Sequence, residues 1–226
     1  MDPIREKWNI QHKELRQALS NADSLKTAIN LFLIQHAMVH SVKMSNSNLF
    51  SFEDEILADI NDDKIRAIPT GSNHSIVWIL WNLARIEDVT MNLLVAGGNQ
   101  VFTKSIWSDK IKAESLHTGN GMSDSEIKKL SSRIDTKRLK AYRIAVGRQT
   151  RKIVKTLNQK NIKQGVNPAY IQRVWDEKAM LKKGRRVVDY WAKRDIAGLL
   201  LMPPTRHCIL HLNEARRIKE KIINSQ

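Results

Sequence analysis

The chain has 226 residues with one cysteine, nine glycines, five prolines and a formal charge of +15. That length is enough for one domain with its own core, and the lone Cys208 excludes an intramolecular disulfide framework and fits a reducing compartment. The N-terminus (Met-Asp-Pro-Ile-Arg-Glu-Lys-Trp) has no apolar leader, and no stretch approaches the roughly 18 apolar residues of a membrane span, so a soluble cytoplasmic protein with no membrane partner is expected.

Few glycines and few alternating β-branched runs predict an all-α fold. Residues 1–22 read as a polar N-terminal helical extension, with a helix from Ile4 to about Ala18. Asn21 to Ser24 then supply cap-type residues for a helix near 24–44, whose inward stripe is Leu25, Ile29, Phe32, Leu33, His36 and His40. Ser51 and Asp54 mark the start of a shorter helix carrying Ile56, Leu57 and Ile60. The next long helix is expected near 73–96, stopped by Gly97-Gly98. Its stripe is Ile76, Ile79, Leu80, Leu83, Ile86 and Leu94, with Glu87 on the same face and Asn82 on its shoulder.

Residues 99–118 read as irregular, and Gly119-Asn120-Gly121 as a turn. Ser123 and Glu126 form a capping-box pattern, and Asp135 caps a helix near 135–158 with Leu139, Tyr142, Val146, Ile153 and Leu157 inward. Asn167-Pro168 starts a helix to Leu181, and Val187 to Leu201 reads as one helix with Trp191, Ile196 and Leu200 inward. Pro203-Pro204-Thr205 ends it and opens the last helix, near 204–223. Four long amphipathic helices bury one another best as a four-helix bundle, with the short helices in its connections, in a single domain spanning 1–226.

The charge is concentrated between Lys128 and Lys160, where twelve Lys or Arg meet one acid, Asp135. Such a run fits either a phosphate backbone or the solvated face of an amphipathic helix. The second reading is preferred, because the cations fall opposite the apolar stripe and the run holds only Tyr142 for base stacking. A homodimer through an apolar flank, or an acidic partner on the basic surface, is compatible with this reading.

His207 and His211 are four apart on the last helix and share a face, the spacing by which one helix offers two imidazoles to one ion. Glu214 extends the same polar row. His36 and His40 form a second pair at the same spacing. Cys208 lies about 100° around the helix from His207 and reads as a small core residue. Trp78, Trp81, Trp107, Trp175 and Trp191 read as core and cavity lining. The second position of the histidine run is Cys208 where an H-E-x-x-H protease has Glu, and no phosphate-binding glycine loop is present.

The stretch Asn73-His74-Ser75-Ile76-Val77-Trp78-Ile79-Leu80-Trp81-Asn82-Leu83-Ala84-Arg85-Ile86-Glu87-Asp88 resembles the second-helix signature of the DinB/YfiT-like superfamily, and His207-x-x-x-His211-Leu212-x-Glu214-Ala215 resembles its closing helix. The likeness covers most of the chain from about Leu25. It implies a four-helix bundle with a cavity at one end, where one histidine of the second helix and two of the last hold a divalent ion, commonly nickel or zinc. Members with known activity act as thiol-dependent transferases or isomerases, so the expectation is a metal-dependent hydrolase or thiol transferase acting on a small molecule. The second-helix histidine corresponds to Asn82. Three readings follow: His40 supplies the third nitrogen, Asn82 ligates through its weaker oxygen, or the metal is lost and the bundle binds a ligand or partner without catalysis. His207, His211, Asn82 and His40 are therefore the expected ligands, with Glu214, Trp78, Glu87 and His36 around them.

Overall fold

A computed structural model of the protein describes residues 2–104 and 107–224, and it is all-helical, with no strand among the described residues. Five long helices carry the architecture: α1 (Pro3–Ser20), α2 (Leu25–Met38), α3 (Ile76–Glu87), α4 (Thr136–Thr156) and α5 (Cys208–Asn224). Among the described residues, no helix is long and apolar enough to cross a membrane.

Helix α3 is at the centre and is buried on every side, because Ile76 to Glu87 carries apolar residues around most of its circumference. It packs against α4 and α5, while α1 pairs with α2 and α2 lies on α4. One core joins Trp81 and Leu83 of α3 to Leu139, Tyr142 and Val146 of α4 and to Ile209, Leu212 and Ala215 of α5. A second joins Leu15 and Leu19 of α1 to Phe32 of α2 and Ile153 and Val154 of α4. Each large side chain so buried contributes about 1.5–3 kcal/mol relative to exposure.

Local signals decide most helix starts. Ser75 accepts from the Trp78 amide, Asp135 from that of Arg138 and Asn167 from that of Ala169, while Ser123 and Glu126 cap each other reciprocally. The regular part of the last long helix begins at Cys208, after the expected start near 204. The chain stays helical through the two prolines as a widened turn over Met202–His207, with the Thr205 hydroxyl donating to Leu200 O at 2.9 Å. Proline lacks the N–H that a regular turn needs, and widening accommodates both rings.

Other boundaries also differ. The helix expected near 24–44 stops at Met38, turns, and resumes as a single turn over Val42–Ser45. The one expected near 73–96 starts at Ile76 and widens after Glu87 over Asp88–Val95. There Asp88 is fully buried and accepts from Arg85, Tyr142, Asn92 and the amides of Val101 and Phe102. A carboxylate satisfied by five donors anchors the following segment to the helix.

The helix beginning at Pro168 ends at Asp176 instead of Leu181, and 187–201 is two helices, Arg185–Ala192 and Ile196–Leu201, separated where Asp195 caps the second. Within 99–118 there are two short helices, Val101–Lys104 and Trp107–Ile111. Helix α1 packs closely on α2: Trp8 and Leu15 are fully buried, and Gln35 bonds both the Trp8 carbonyl and His12 at 2.8 Å. Of the basic run, Lys128, Lys137, Lys152, Lys155 and Lys160 are exposed. Arg143 is the exception, buried on the core face beside Tyr142.

Candidate functional site

The start of α5 and the widened turn before it place His207 and His211 on one wall of a cavity of about 360 Å³. Ile86, Val187, Tyr190, Trp191, Met202 and Pro203 make most of the lining apolar, and Asn120 and Arg186 are its other polar members. The two imidazoles meet edge to face with ring centroids 4.5 Å apart.

His211 is oriented from behind. Its Nδ1 lies 2.8 Å from Glu214 Oε2, and the other oxygen of that carboxylate is 2.7 Å from Nδ1 of His74, which stacks on Trp78 at 3.8 Å. With Nδ1 engaged, Nε2 is the free nitrogen of His211. Burial opposes ionisation of Glu214, but hydrogen bonds and charge from His211 and His74 prevail and hold its carboxyl down at about 2. His207 hydrogen-bonds no protein group among the described residues, and its Nδ1 is buried without a partner. Burial, with the cationic forms of His211 and Arg143 nearby, drives its pKa down to about 3, so it stands as a neutral nitrogen donor.

Asn82 is fully buried on α3 and approaches the same cavity through Asn120. Its amide nitrogen donates to Asn120 Oδ1 at 3.0 Å and to Thr118 O at 2.9 Å, leaving Oδ1 buried and without a donor. The indole nitrogen of Trp78 is likewise buried and unpartnered. Buried polar atoms left unpaired cost about 1–3 kcal/mol each, and the orphaned His207, which lines the cavity, points to a polar occupant there. Two imidazoles, one held by a carboxylate as metal-bound histidines commonly are, suit a transition ion, with the amide oxygen of Asn82 as the candidate third donor.

His40, expected as a fourth member of this set, belongs to a different cluster. Its Nε2 lies 2.8 Å from Glu87 Oε2, and His36 Nε2 lies 2.8 Å from Glu87 Oε1. All three residues are fully buried, the two rings are 4.4 Å apart, and both Nδ1 atoms are unpartnered. Their potential ligand atoms fall within 4.8 Å of one another, making a group able to hold a metal ion. Burial lowers the His40 pKa to about 3 despite the adjacent Glu87. Burial also opposes ionisation of Glu87, but the two histidines hold its carboxyl well below the usual range. The group whose ligand atoms gather within 4.8 Å is His36, His40 and Glu87, without His207 or His211: the chain turns after Met38, and His40 faces Glu87 and Gly147.

Cys208 is buried, its thiol within 3.5 Å of Pro203 O and its pKa pushed up to about 12 by burial, so it is an inert core group. Three partners were not visible in the helical patterns: His74 behind Glu214, Asn120 behind Asn82, and the buried Arg143–Glu53 ion pair at 2.5 Å. Only Arg143 left a trace, as a charge within the stripe Leu139, Tyr142, Val146. Compared with known proteins, the chain matches no family model and no curated protein sequence.

Proposed function

We propose that the chain is a DinB-like four-helix bundle that binds a divalent transition ion, nickel or zinc, through His207, His211 and the side-chain oxygen of Asn82, and uses the adjoining cavity for a small-molecule hydrolase or thiol-transferase reaction. The observation that carries this reading is a cavity wall holding a neutral, unpartnered His207 and a carboxylate-oriented His211, with Asn82, whose oxygen is orphaned, bonded to the lining residue Asn120. Such an ion, when bound, supplies a Lewis acid that makes a bound water or thiol more acidic. The chain's own residues bind and position: Glu214 fixes the tautomer and direction of His211, His74 holds Glu214, and Asn120 turns the Asn82 amide so that its oxygen is left free. Tyr190, Trp191 and Val187 restrict water and favour a partly apolar substrate.

Metal analysis of tag-free protein tests the proposal. Close to one equivalent lost on His207→Ala or His211→Ala supports it, and unchanged metal content in both variants would overturn it. A non-catalytic bundle is the second reading, favoured by Asn82, which donates less strongly than the histidine of the family pattern. It predicts that the cavity takes an apolar ligand equally well with and without metal.

A further inference from the structure

The buried acids around α3 outnumber the buried cations. Asp88 is matched by Arg85 at 3.2 Å and Glu53 by Arg143 at 2.5 Å, but the side-chain hydrogen bonds of Glu87 go to His36 of α2 and to His40 just beyond its end. These are all buried groups with at most 2% of their side chains exposed. A carboxylate removed from water requires a positive partner or a full set of donors. The two imidazoles supply two N–H groups but no fixed charge, and that tautomer leaves two buried Nδ1 lone pairs with no donor.

We propose that His36, His40 and Glu87 form a second metal centre, closed to solvent, which holds a first-row transition cation and ties α2 to α3. Three features support this assignment. The two Nε2 atoms already lie 2.8 Å from the two oxygens of one carboxylate, so an ion entering there replaces shared protons and requires little movement of the helices. Two imidazoles and a carboxylate are a donor set that zinc, iron, copper and nickel accept.

The third feature is the surface facing the outer edges of the rings. When Nε2 ligates, the proton moves to Nδ1 and requires room and an acceptor. Gly147 of α4 supplies the room, since a Cβ there would stand 3.0 Å from His40 Nδ1. Thr150, one turn along α4 from Gly147, carries a buried hydroxyl that has no hydrogen-bond partner, and it is the candidate acceptor. The centre is independent of the cavity, whose histidines belong to α5 and the turn before it. With all three ligand residues fully buried, it is a structural site whose loss loosens α2 from α3.

The test uses the full-length, tag-free chain carrying His207→Ala and His211→Ala, so that metal bound at the cavity is absent. After refolding with zinc or cobalt(II) and dialysis, this protein is expected to retain about one equivalent, and its thermal midpoint to fall on treatment with a strong chelator. Adding His36→Gln is expected to reduce retained metal at least tenfold. Less than a tenth of an equivalent, a midpoint indifferent to metal and chelator, and a doubly protonated His36 or His40 seen by nitrogen NMR at neutral pH would overturn the proposal, the counter-charge then being a proton. If the triple variant does not fold, anomalous scattering from crystals of the wild-type chain decides. A peak between Glu87 and the two histidines supports the centre, and its absence there overturns it.

Discussion

Arg143→Met tests the buried polar framework that carries both sites. Arg143 is 1% exposed and Glu53 2%, and Arg143 donates from Nε to Glu53 Oε2 at 2.5 Å and from Nη2 to Val39 O at 2.8 Å. Methionine matches much of the arginine stem but leaves Glu53 without a cation and the Val39 carbonyl without a donor. Breaking a buried ion pair from one side costs about 3–5 kcal/mol, and an orphaned buried carbonyl adds about 1–3 kcal/mol. The expected loss is therefore about 4 kcal/mol or more, a large part of the ~5–15 kcal/mol that a folded domain has in total. Glu53 already has its carboxyl pushed up by burial, which Arg143 only partly offsets, so removing the acid as well should relieve most of the damage. The double variant Arg143→Met/Glu53→Leu is expected to recover at least half of the single-variant loss. Urea unfolding of the wild type, both single variants and the double variant gives the coupling directly. Additive losses, or an Arg143→Met cost below about 1 kcal/mol, would refute the argument that this pair is desolvated and mutually dependent.

Asn82→His restores a third nitrogen beside His207 and His211 and is expected to tighten metal binding at the cavity at least tenfold, measured by competition with a chelating dye. Glu214→Gln removes the carboxylate that orients His211 and is expected to weaken the same binding by about 10–100-fold, with the fold retained by circular dichroism. Stability should fall as pH drops from about 6.5 toward 3. Over that window the unfolded His207 imidazole takes up a proton that the folded one, at about 3, does not, so the unfolded state binds more protons and gains. His40, also at about 3, acts in the same direction, so His207→Gln should remove part of the slope in urea midpoints and leave the rest. Gly147→Ala is expected to destabilise the chain although alanine is the better helix former by about 1 kcal/mol, because the new Cβ meets Met44 Cγ at 2.8 Å and the held His40 ring at 3.0 Å. A raised thermal midpoint would show that the ring can move aside.

The sequence by itself determined where the long helices lie and how several of them start. Helical periodicity and the caps at Ser75, Ser123, Asp135 and Asn167 depend on residues within about four positions of one another, and such signals survive without tertiary context. It also placed His207 beside His211, since i and i+4 share a face in any helix, and the turn after Met38 still leaves the His36 and His40 rings 4.4 Å apart. Helix ends were less legible where tertiary bonds or prolines reshape the turn, as in the widening after Glu87 that Asp88 anchors to Val101 and Phe102. Which pair faces which partner was decided only by packing. Glu87 lies on the apolar stripe of α3, and the packing of α2 across that stripe gives His40 to Glu87 and withholds it from the cavity. His74, 140 residues from Glu214, and Asn120, 38 residues from Asn82, lie in connections outside the helices and meet their partners only because packing brings those connections against α5 and α3. A hydrogen bond between distant residues leaves no periodic trace in a sequence, because its geometry belongs to the assembled core.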